Sequence, residues 1–305
     1  MAKNLRAKLP KEDTLYIQDV NPAATEKFMS TGLDENVKVA SNPREVAENA
    51  VCPILSMKRF EVIVTALPEP SHVKSVYGAI LEPATLLKSS VGTPRLFIDT
   101  STIDPITSRG VAKIVNETGQ GAFIDAPMSG GVVGATAGTL TFMIGASPDL
   151  VPKAKEVLLM MGRRVLHMGE QGAGLSGKLA NNYLLALNNV ATAEAFNMGI
   201  RWGLDAKALA GMINTSTGKC WPSEINNPVP GVLEGAPAGK DYEGGFGIGL
   251  ANKDLKLAIA AAKEVGIPVE LGEHAQRIYD GAEAAEQCKG RDFSVVYRYI
   301  GGAGA

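Results

Sequence analysis

The chain contains little cysteine. Three residues, Cys52, Cys220 and Cys288, are spread over 305 positions. An odd and widely spaced set neither builds a disulfide framework nor supplies the short spacings of metal ligands. The sequence therefore predicts a protein of a reducing compartment without a metal site.

An excess of charge of one sign and long apolar runs are also missing. The chain has 30 Lys and Arg residues and 32 Asp and Glu residues, so its net charge is −2. This composition gives no excess of basic residues for binding a nucleic acid. No segment approaches the roughly 20 apolar residues of a membrane span. Glu12 and Asp13 follow the start closely, unlike the acid-poor composition of a transit peptide. We expect a soluble protein that acts on small molecules.

The first half of the chain alternates short β-branched runs with helical stretches. This alternation predicts a Rossmann-like, doubly wound α/β sheet over residues 1–168, with helices on both faces. The predicted strands are Leu15–Gln18, Val37–Ala40, Val62–Ala66, Leu96–Asp99, Ala122–Ile124, Leu140–Ile144 and Val165–His167.

The second half changes character at Gly172, where the strand signal ends. Alanine- and leucine-rich stretches predict an all-helical domain over residues 169–305. A Gly-, Pro- and Asn-rich segment, Ser216–Gly247, is too long for a tight turn. The predicted helices are Lys178–Gly199, Ala206–Asn214 and Leu250–Val265.

Polar or turn residues follow several predicted strands, where an open α/β sheet builds its ligand crevice. Asp19 follows the first strand, where a carboxylate can accept both ribose hydroxyls of NAD and would repel the phosphate of NADP. An ordinary turn aspartate is an equally good interpretation. Pro68 fixes the chain after another strand, within Thr65–Pro68.

The segment Asp99–Pro105 combines a strand end, hydroxyl side chains and a helix start with Pro105 in its first turn. Helix capping is the simpler interpretation of Ser101, Thr102 and Asp104.

A serine beside two glycines follows the strand that ends at Asp125. Ser129, Gly130 and Gly131 would expose successive backbone N–H groups, a suitable site for a substrate carboxylate. The alternative is a glycine-rich turn that needs positive φ.

Two lysines lie in predicted helices. Lys178 stands near a glycine-lined helix start with Asn182 four residues later, on the same face. Burial and the helix dipole disfavour the ammonium form there, so such a lysine can exchange a proton with a hydroxyl. The second lysine, Lys253, precedes Asp254. For each lysine a solvated surface position is the alternative.

Taken together, these segments resemble the β-hydroxyacid dehydrogenase family. The segments Lys219–Ser223, Asn227–Gly231 and Tyr242–Phe246 are similar to the branch that oxidises 3-hydroxyisobutyrate. The segments that carry the family resemblance, in order, are Met1–Leu5, Asp99–Asp104, Asp125–Leu140, Gly172–Asn182 and Lys253–Ala258.

The resemblance implies an enzyme that uses NAD and forms methylmalonate semialdehyde, a step of valine breakdown. Lys178 would be the general acid/base, and Asn182 would hold the substrate or orient the lysine. Lys253 would reach toward the active cleft. The resemblance also implies a homodimer or homotetramer and mitochondrial residence. It assigns the substrate carboxylate to Ser129, Gly130 and Gly131, and the cofactor to Asp19, Leu67, Pro68, Thr102, Lys253 and Asp254.

The chain departs from the family pattern in three places. Family members place a strand and a G-x-G-x-x-G loop before the position of Met1, so we expect an interrupted sheet and weaker NAD binding. Val51–Arg59 resembles an insertion, and His72 occupies a position that usually holds an asparagine. Two alternatives remain: a non-catalytic relative that binds partners, or a related enzyme for tartronate or succinate semialdehyde.

Overall fold

A computed structural model of the chain describes residues 1–32, 36–50, 61–82 and 95–303. The chain divides into two compact units, Met1–Lys178 (unit 1) and Leu179–Ala305 (unit 2). The expected insertion at Val51–Arg59 lies outside the described residues.

Unit 1 contains all seven strands that the sequence predicts, with ends that differ by three residues or fewer. A further strand of two residues, β6, was missed because so short a segment has no periodicity to detect. The described strands are β1 (Leu15–Ile17), β2 (Val37–Val39), β3 (Glu61–Thr65), β4 (Arg95–Asp99), β5 (Gly121–Asp125), β6 (Met128–Ser129), β7 (Leu140–Gly145) and β8 (Gly162–Gly169).

The strands form two sheets. Parallel β1 and β2 make a small sheet, while the larger one has the order β3-β4-β5-β7-β6 with β8 on β7. In the larger sheet, β3, β4 and β5 are parallel, and β7 is parallel to β8 but antiparallel to β5 and β6. The larger sheet is therefore mixed, with antiparallel pairing where β7 meets β5 and β6. Within the described residues no ladder joins β1 or β2 to β3.

Helices of unit 1 begin with strong local signals. Proline occupies one of the first two positions in five of them, where its missing N–H costs nothing. The helices are α1 (Ala2–Lys8), α2 (Pro22–Met29), α3 (Pro43–Asn49), α4 (Pro70–Ile80), α5 (Pro105–Glu117), α6 (Gly131–Ala137) and α7 (Val151–Met161).

The larger sheet is covered on both faces. Every residue of β4 is buried, and its side chains alternate between two hydrophobic clusters. Phe97 faces a cluster that includes residues of α3, α4 and α5, whereas Leu96 and Ile98 face one with residues of α1 and α7. This alternation is the doubly wound arrangement that the sequence predicts.

The small sheet is connected to the rest of unit 1 through helices. Arg44 of α3 donates from Nη1 to the carbonyl of Ile80 at 3.2 Å, and Ala47 is fully buried in the cluster with α4 and α5. The buried Arg6 of α1 donates from Nη1 to the carbonyl of Asp13, just before β1, at 2.6 Å.

Unit 2 is helical, as the sequence predicts. The helix predicted at Ala206–Asn214 is confirmed at both ends, and Asp205 caps it by accepting the N–H of Ala208 at 2.8 Å. No described helix is long and apolar enough to cross a membrane. The helices are α8 (Ala173–Arg201, which begins in unit 1), α9 (Ala206–Asn214), α10 (Trp221–Glu224), α11 (Ile248–Glu264), α12 (Glu270–Ala284) and α13 (Val296–Tyr299), with 3₁₀ turns at Pro237–Lys240, Glu286–Cys288 and Phe293–Val295.

Candidate active site

A buried carboxylate connects the loops that follow β3 and β4. Oδ1 of Asp99 accepts hydrogen bonds from Oγ1 of Thr65 at 2.8 Å and from Oγ of Ser101 at 2.6 Å. The Ser101 oxygen in turn accepts the N–H of Leu67 at 2.8 Å. Burial raises the pKa of Asp99, and the two hydroxyl donors partly oppose that rise. The Asp99 side chain thus fixes both loops at the carboxyl edge of the sheet.

The predicted cofactor residues of this edge lie on those two loops. Leu67 and Thr102 are half-buried, and Pro68 is exposed. The capping interpretation is confirmed for Asp104, whose Oδ1 accepts the N–H of Thr107 at 2.7 Å at the start of α5. It is wrong for Ser101, which hydrogen-bonds across to Leu67 and Asp99 instead.

A second buried carboxylate, Asp125, lies opposite Asp99 in the parallel register of β4 and β5. Its Oδ1 accepts the N–H of Gly172 at 2.6 Å, and its Oδ2 accepts the N–H of Leu175 at 2.8 Å. The Gly172 amide lies just before α8 and the Leu175 amide in its first turn, and neither has a partner within the helix. Burial raises the pKa of Asp125 to about 6, although both backbone donors lower it. Asp125 therefore caps α8 from a distant strand.

The start of α8 carries the glycine spacing of a dinucleotide-binding loop, Gly172-x-Gly174-x-x-Gly177, directly after β8. Here, however, the Asp125 carboxylate occupies the position at the helix N-terminus where a phosphate would bind. A Cβ on Gly174 would lie 2.3 Å from the carbonyl oxygen of Met143. The spacing serves close packing against β7.

Lys178 and Asn182 lie one turn apart in α8 and are both buried, with 7% and 5% of their surface exposed. The alternative of a solvated surface position is therefore wrong for Lys178. Burial disfavours the charged ammonium form of a lysine. A buried lysine can therefore release and accept a proton more readily than one in water.

Asn182 meets two further predicted residues, Lys253 and Asp254, in unit 2, between α8 and α11. Nδ2 of Asn182 donates to Oδ2 of Asp254 at 2.7 Å, and Nζ of Lys253 lies 3.3 Å from Oδ1 of the same carboxylate. Asn181 donates from Nδ2 to the Asn182 side-chain oxygen at 3.1 Å. The amide of Asn182 is thus held in one orientation by two neighbours.

The glycine-rich segment after β5 has the backbone that the turn interpretation requires. Gly130 has φ +128° and Gly131 has φ +59°, and Gly130 precedes the first residue of α6. Ser129 is half-buried in β6. Carboxylate binding by these three residues stays a prediction.

Asp19 is exposed and follows β1 by two residues. Its Oδ1 accepts the N–H of Asn21, the N-cap residue of α2, at 2.8 Å. This is the geometry of the turn interpretation, and it leaves Asp19 accessible to a ribose. His72 is exposed in the first turn of α4.

The long segment Ser216–Gly247 is ordered by a buried side chain that follows it in sequence. Asp292 accepts from Nδ2 of Asn226 at 3.0 Å and from the N–H of Phe246 at 2.7 Å. Trp221, half exposed, stacks on Phe293 with ring centroids 6.4 Å apart. The segment is therefore a fixed surface, not a flexible linker.

Sequence reasoning missed the roles of Asp99, Asp125 and Asp292. A buried carboxylate at a strand end resembles a turn residue in sequence, since donors to Asp99 and Asp125 lie 34 to 50 positions away, at Thr65, Gly172 and Leu175. The described residues contain no group of three or more His, Cys, Asp or Glu side chains placed to hold a metal ion.

Comparison with known proteins matches both units. Residues 1–169 match the NAD-binding domain of 6-phosphogluconate dehydrogenase, and residues 172–300 match the NAD-binding family of NADP-dependent 3-hydroxyisobutyrate dehydrogenase. The mitochondrial 3-hydroxyisobutyrate dehydrogenase of Mus musculus is 42% identical over 300 residues, which cover 98% of this chain and 83% of the mouse protein. A probable mitochondrial enzyme of the same name from Dictyostelium discoideum is 43% identical over 267 residues, 88% of this chain and 78% of that protein.

A solved structure shows the same fold. The 3-hydroxyisobutyrate dehydrogenase of Mycobacterium tuberculosis, determined with L-serine, superimposes with a TM-score of 0.83 at 34% identity, covering 98% of this chain and 93% of that one. The fold and these matches define an NAD-dependent hydroxyacid dehydrogenase. More particularly, the chain belongs to the 3-hydroxyisobutyrate dehydrogenase family.

Proposed function

We propose that this chain oxidises 3-hydroxyisobutyrate to methylmalonate semialdehyde with NAD, and that Lys178 is the general acid/base. The observation that carries the proposal is the burial of Lys178 and Asn182 one turn apart in α8. The relatives that bear the name of this enzyme support the substrate.

In this mechanism Lys178 removes a proton and the substrate loses a hydride. The hydroxyl proton passes to the neutral Nζ of Lys178 while the carbinol C–H hydride leaves, and the carbinol becomes an aldehyde. Bound NAD supplies the acceptor for that hydride at its nicotinamide ring. Asn182, held by Asp254, orients the substrate oxygen or the lysine.

The remaining roles follow the same proposal. Backbone N–H groups at Ser129, Gly130 and Gly131 bind the substrate carboxylate, with Lys253 as a cationic partner. The residues fit a dinucleotide because Asp19 offers acceptors to a ribose and the Asp99 network fixes the loops beside it. The proposed cofactor residues are Asp19, Leu67, Pro68, Thr102, Lys253 and Asp254.

The wider context is proposed in the same way. Residues 1–168 bind the cofactor, and residues 169–305 contribute to the substrate site and to a homodimer or homotetramer. Large apolar side chains on α8 and just after it support self-association, since Leu184, Met198 and Trp202 are 57%, 49% and 76% exposed. The names of the relatives support mitochondrial residence and a place in valine breakdown.

The experiment that tests the function measures NADH formation from 3-hydroxyisobutyrate and NAD by absorbance. Lys178→Ala should abolish turnover. Lys256→Ala is the matched control, because the Lys256 side chain is 48% exposed and pairs with Asp280 at the surface. Equal loss in both variants would contradict the assignment of Lys178. In the reverse direction, faster reduction of tartronate semialdehyde or succinate semialdehyde by NADH than of methylmalonate semialdehyde would contradict the proposed substrate.

A second arm addresses the cofactor domain. A longer chain that carries a strand and a glycine-rich loop before Met1 is assayed beside the 305-residue chain, and NAD affinity is measured by calorimetry. Absence of turnover in both chains with every tested acid would favour the non-catalytic alternative.

A further inference from the structure

The N-terminus of α8 is capped by a residue that lies 47 positions earlier in the sequence. Gly172 precedes the helix and has no side chain that could accept hydrogen bonds from the backbone N–H groups of the first turn. Asp125 takes over that function with both carboxylate oxygens, one on Gly172 and one on Leu175. The cap is therefore a bond between the sheet and the helix, and not a local feature of α8.

The carboxylate has no room to move. A Cβ on Gly145 would lie 2.3 Å from Asp125 Oδ1, and one on Gly174 would lie 2.8 Å from Oδ2. Both glycines thus form a cradle that fits the Asp125 side chain closely. The cradle sets the position of the first turn of α8 relative to β5 and β7.

The geometry points to Asp125 as a positioning residue for Lys178, and this inference rests on the proposed role of Lys178. Helical side chains point toward the N-terminus, so the Lys178 side chain extends over the turn that Asp125 holds at Leu175. The carboxylate also places a negative charge at the positive end of the helix dipole, which otherwise disfavours an ammonium group nearby. Asp125 thereby fixes both the location and the charge environment of Lys178.

The charged form of Asp125 is kept against a cost. Burial alone disfavours an anion here, and the neighbouring Asp99 adds repulsion.

The test compares Asp125→Asn with Asp205→Asn. Asparagine keeps the volume but removes the charge and one acceptor. Asp205 caps α9 by a similar bond, and α9 carries no predicted site residue. Acetic anhydride labels lysines in the whole protein over a range of pH, and mass spectrometry follows Lys178. Hydrogen exchange of residues 173–178 is measured in the same samples.

We expect the pH at which Lys178 becomes reactive to fall by about half to one pH unit in Asp125→Asn, as loss of a dipole-compensating charge implies. Exchange in the first turn of α8 should rise roughly fivefold or more. Where turnover is measurable, kcat should fall by up to about 100-fold with little change in KM for NAD. Asp205→Asn should change none of these quantities.

An unchanged labelling profile of Lys178 in Asp125→Asn would overturn the inference, whether or not the exchange of residues 173–178 changes. Neither labelling nor exchange requires turnover. The inference about Asp125 can therefore be tested whether or not 3-hydroxyisobutyrate is the substrate. If Asp125→Asn does not fold, the unaltered protein still decides the question by NMR. The amide signals of Gly172 and Leu175 and the side-chain signals of Lys178 should then shift together with a midpoint near pH 6, as Asp125 titrates. Independent shifts, or none, would overturn it.

Discussion

Asn182 donates a hydrogen bond of 2.7 Å from Nδ2 to Oδ2 of Asp254, and both side chains are buried. The bond joins α8 to α11 inside unit 2. A side-chain amide that turns over would present an oxygen to Asp254, so the carboxylate selects one of the two orientations of Asn182.

Replacing Asp254 should therefore affect stability and turnover together. Asp254→Ala leaves the Asn182 amide unpaired in the interior, at a cost of about 1–3 kcal/mol in the free energy of unfolding. Asp254→Asn keeps an acceptor and should cost less. Urea unfolding and kcat/KM provide the measurements. Glu273→Ala, which breaks a surface pair with Lys263, should change neither quantity, and equal effects of all three variants would contradict the prediction.

Removing the Ser101 hydroxyl should loosen the loops that follow β3 and β4. Ser101→Ala deprives the Leu67 N–H and the Asp99 carboxylate of a partner, so we expect a higher KM for NAD and a loss of about 1 kcal/mol in stability. Ser294→Ala is the control, because the Ser294 hydroxyl is buried without a hydrogen-bond partner and its removal should not destabilise the protein. A KM for NAD that is unaffected by Ser101→Ala would count against the role of these loops.

Much of the fold could be predicted from local signals. The exact match of α9 follows from its cap at Asp205, and the strands follow from their β-branched runs, since both signals lie within a few residues. The direction of β7 could not be predicted, because its pairing with β5 depends on contacts across 20 positions, such as Asp125 with Gly145.

The site was predicted unevenly for the same reason. Lys178 and Asn182 are related by helix spacing, which a sequence shows directly. Asp99 and Asp125 act through partners far away in the chain, and no spacing rule reveals such bonds. The glycine spacing at the start of α8 is typical of a phosphate site. In the structure the Asp125 carboxylate occupies that position.

Two glycines in helices should respond to alanine in opposite ways. Gly174→Ala places a Cβ 2.3 Å from the carbonyl oxygen of Met143, so the helix start must shift and stability should fall by more than 1 kcal/mol. Gly211→Ala has open space in α9 and should stabilise the protein by about 0.5–1 kcal/mol. Thermal unfolding measures both. A stabilised Gly174→Ala variant would show that the contact with β7 is loose.

The stability of the protein relative to Asp125→Asn should depend on pH. Burial raises the pKa of Asp125 from 3.8 to about 6 in the folded chain, so the folded state binds this proton more tightly than the unfolded state. The resulting stabilisation is complete below about pH 3.8 and is lost as the pH rises through 6. The difference between the two proteins should change by about 2–3 kcal/mol between about pH 4 and pH 7.

Asp99 faces Asp125 and also has a raised pKa, but it is present in both proteins, so most of its contribution cancels. Urea unfolding at several pH values gives the two curves. Parallel curves would mean that Asp125 titrates normally.

The two sheets of unit 1 have a thermodynamic consequence. Within the described ranges, β1 and β2 reach the rest of the unit through α1 and α3 and not through a strand ladder. A segment attached by helix contacts opens at a lower free energy than the main sheet, and here that segment carries Asp19. Occupation of the ribose site that we propose at Asp19 would favour the closed form by mass action. The concentration of NAD would then set the fraction of molecules in which the small sheet is folded. Cofactor binding and the local folding of this sheet would thus be thermodynamically coupled.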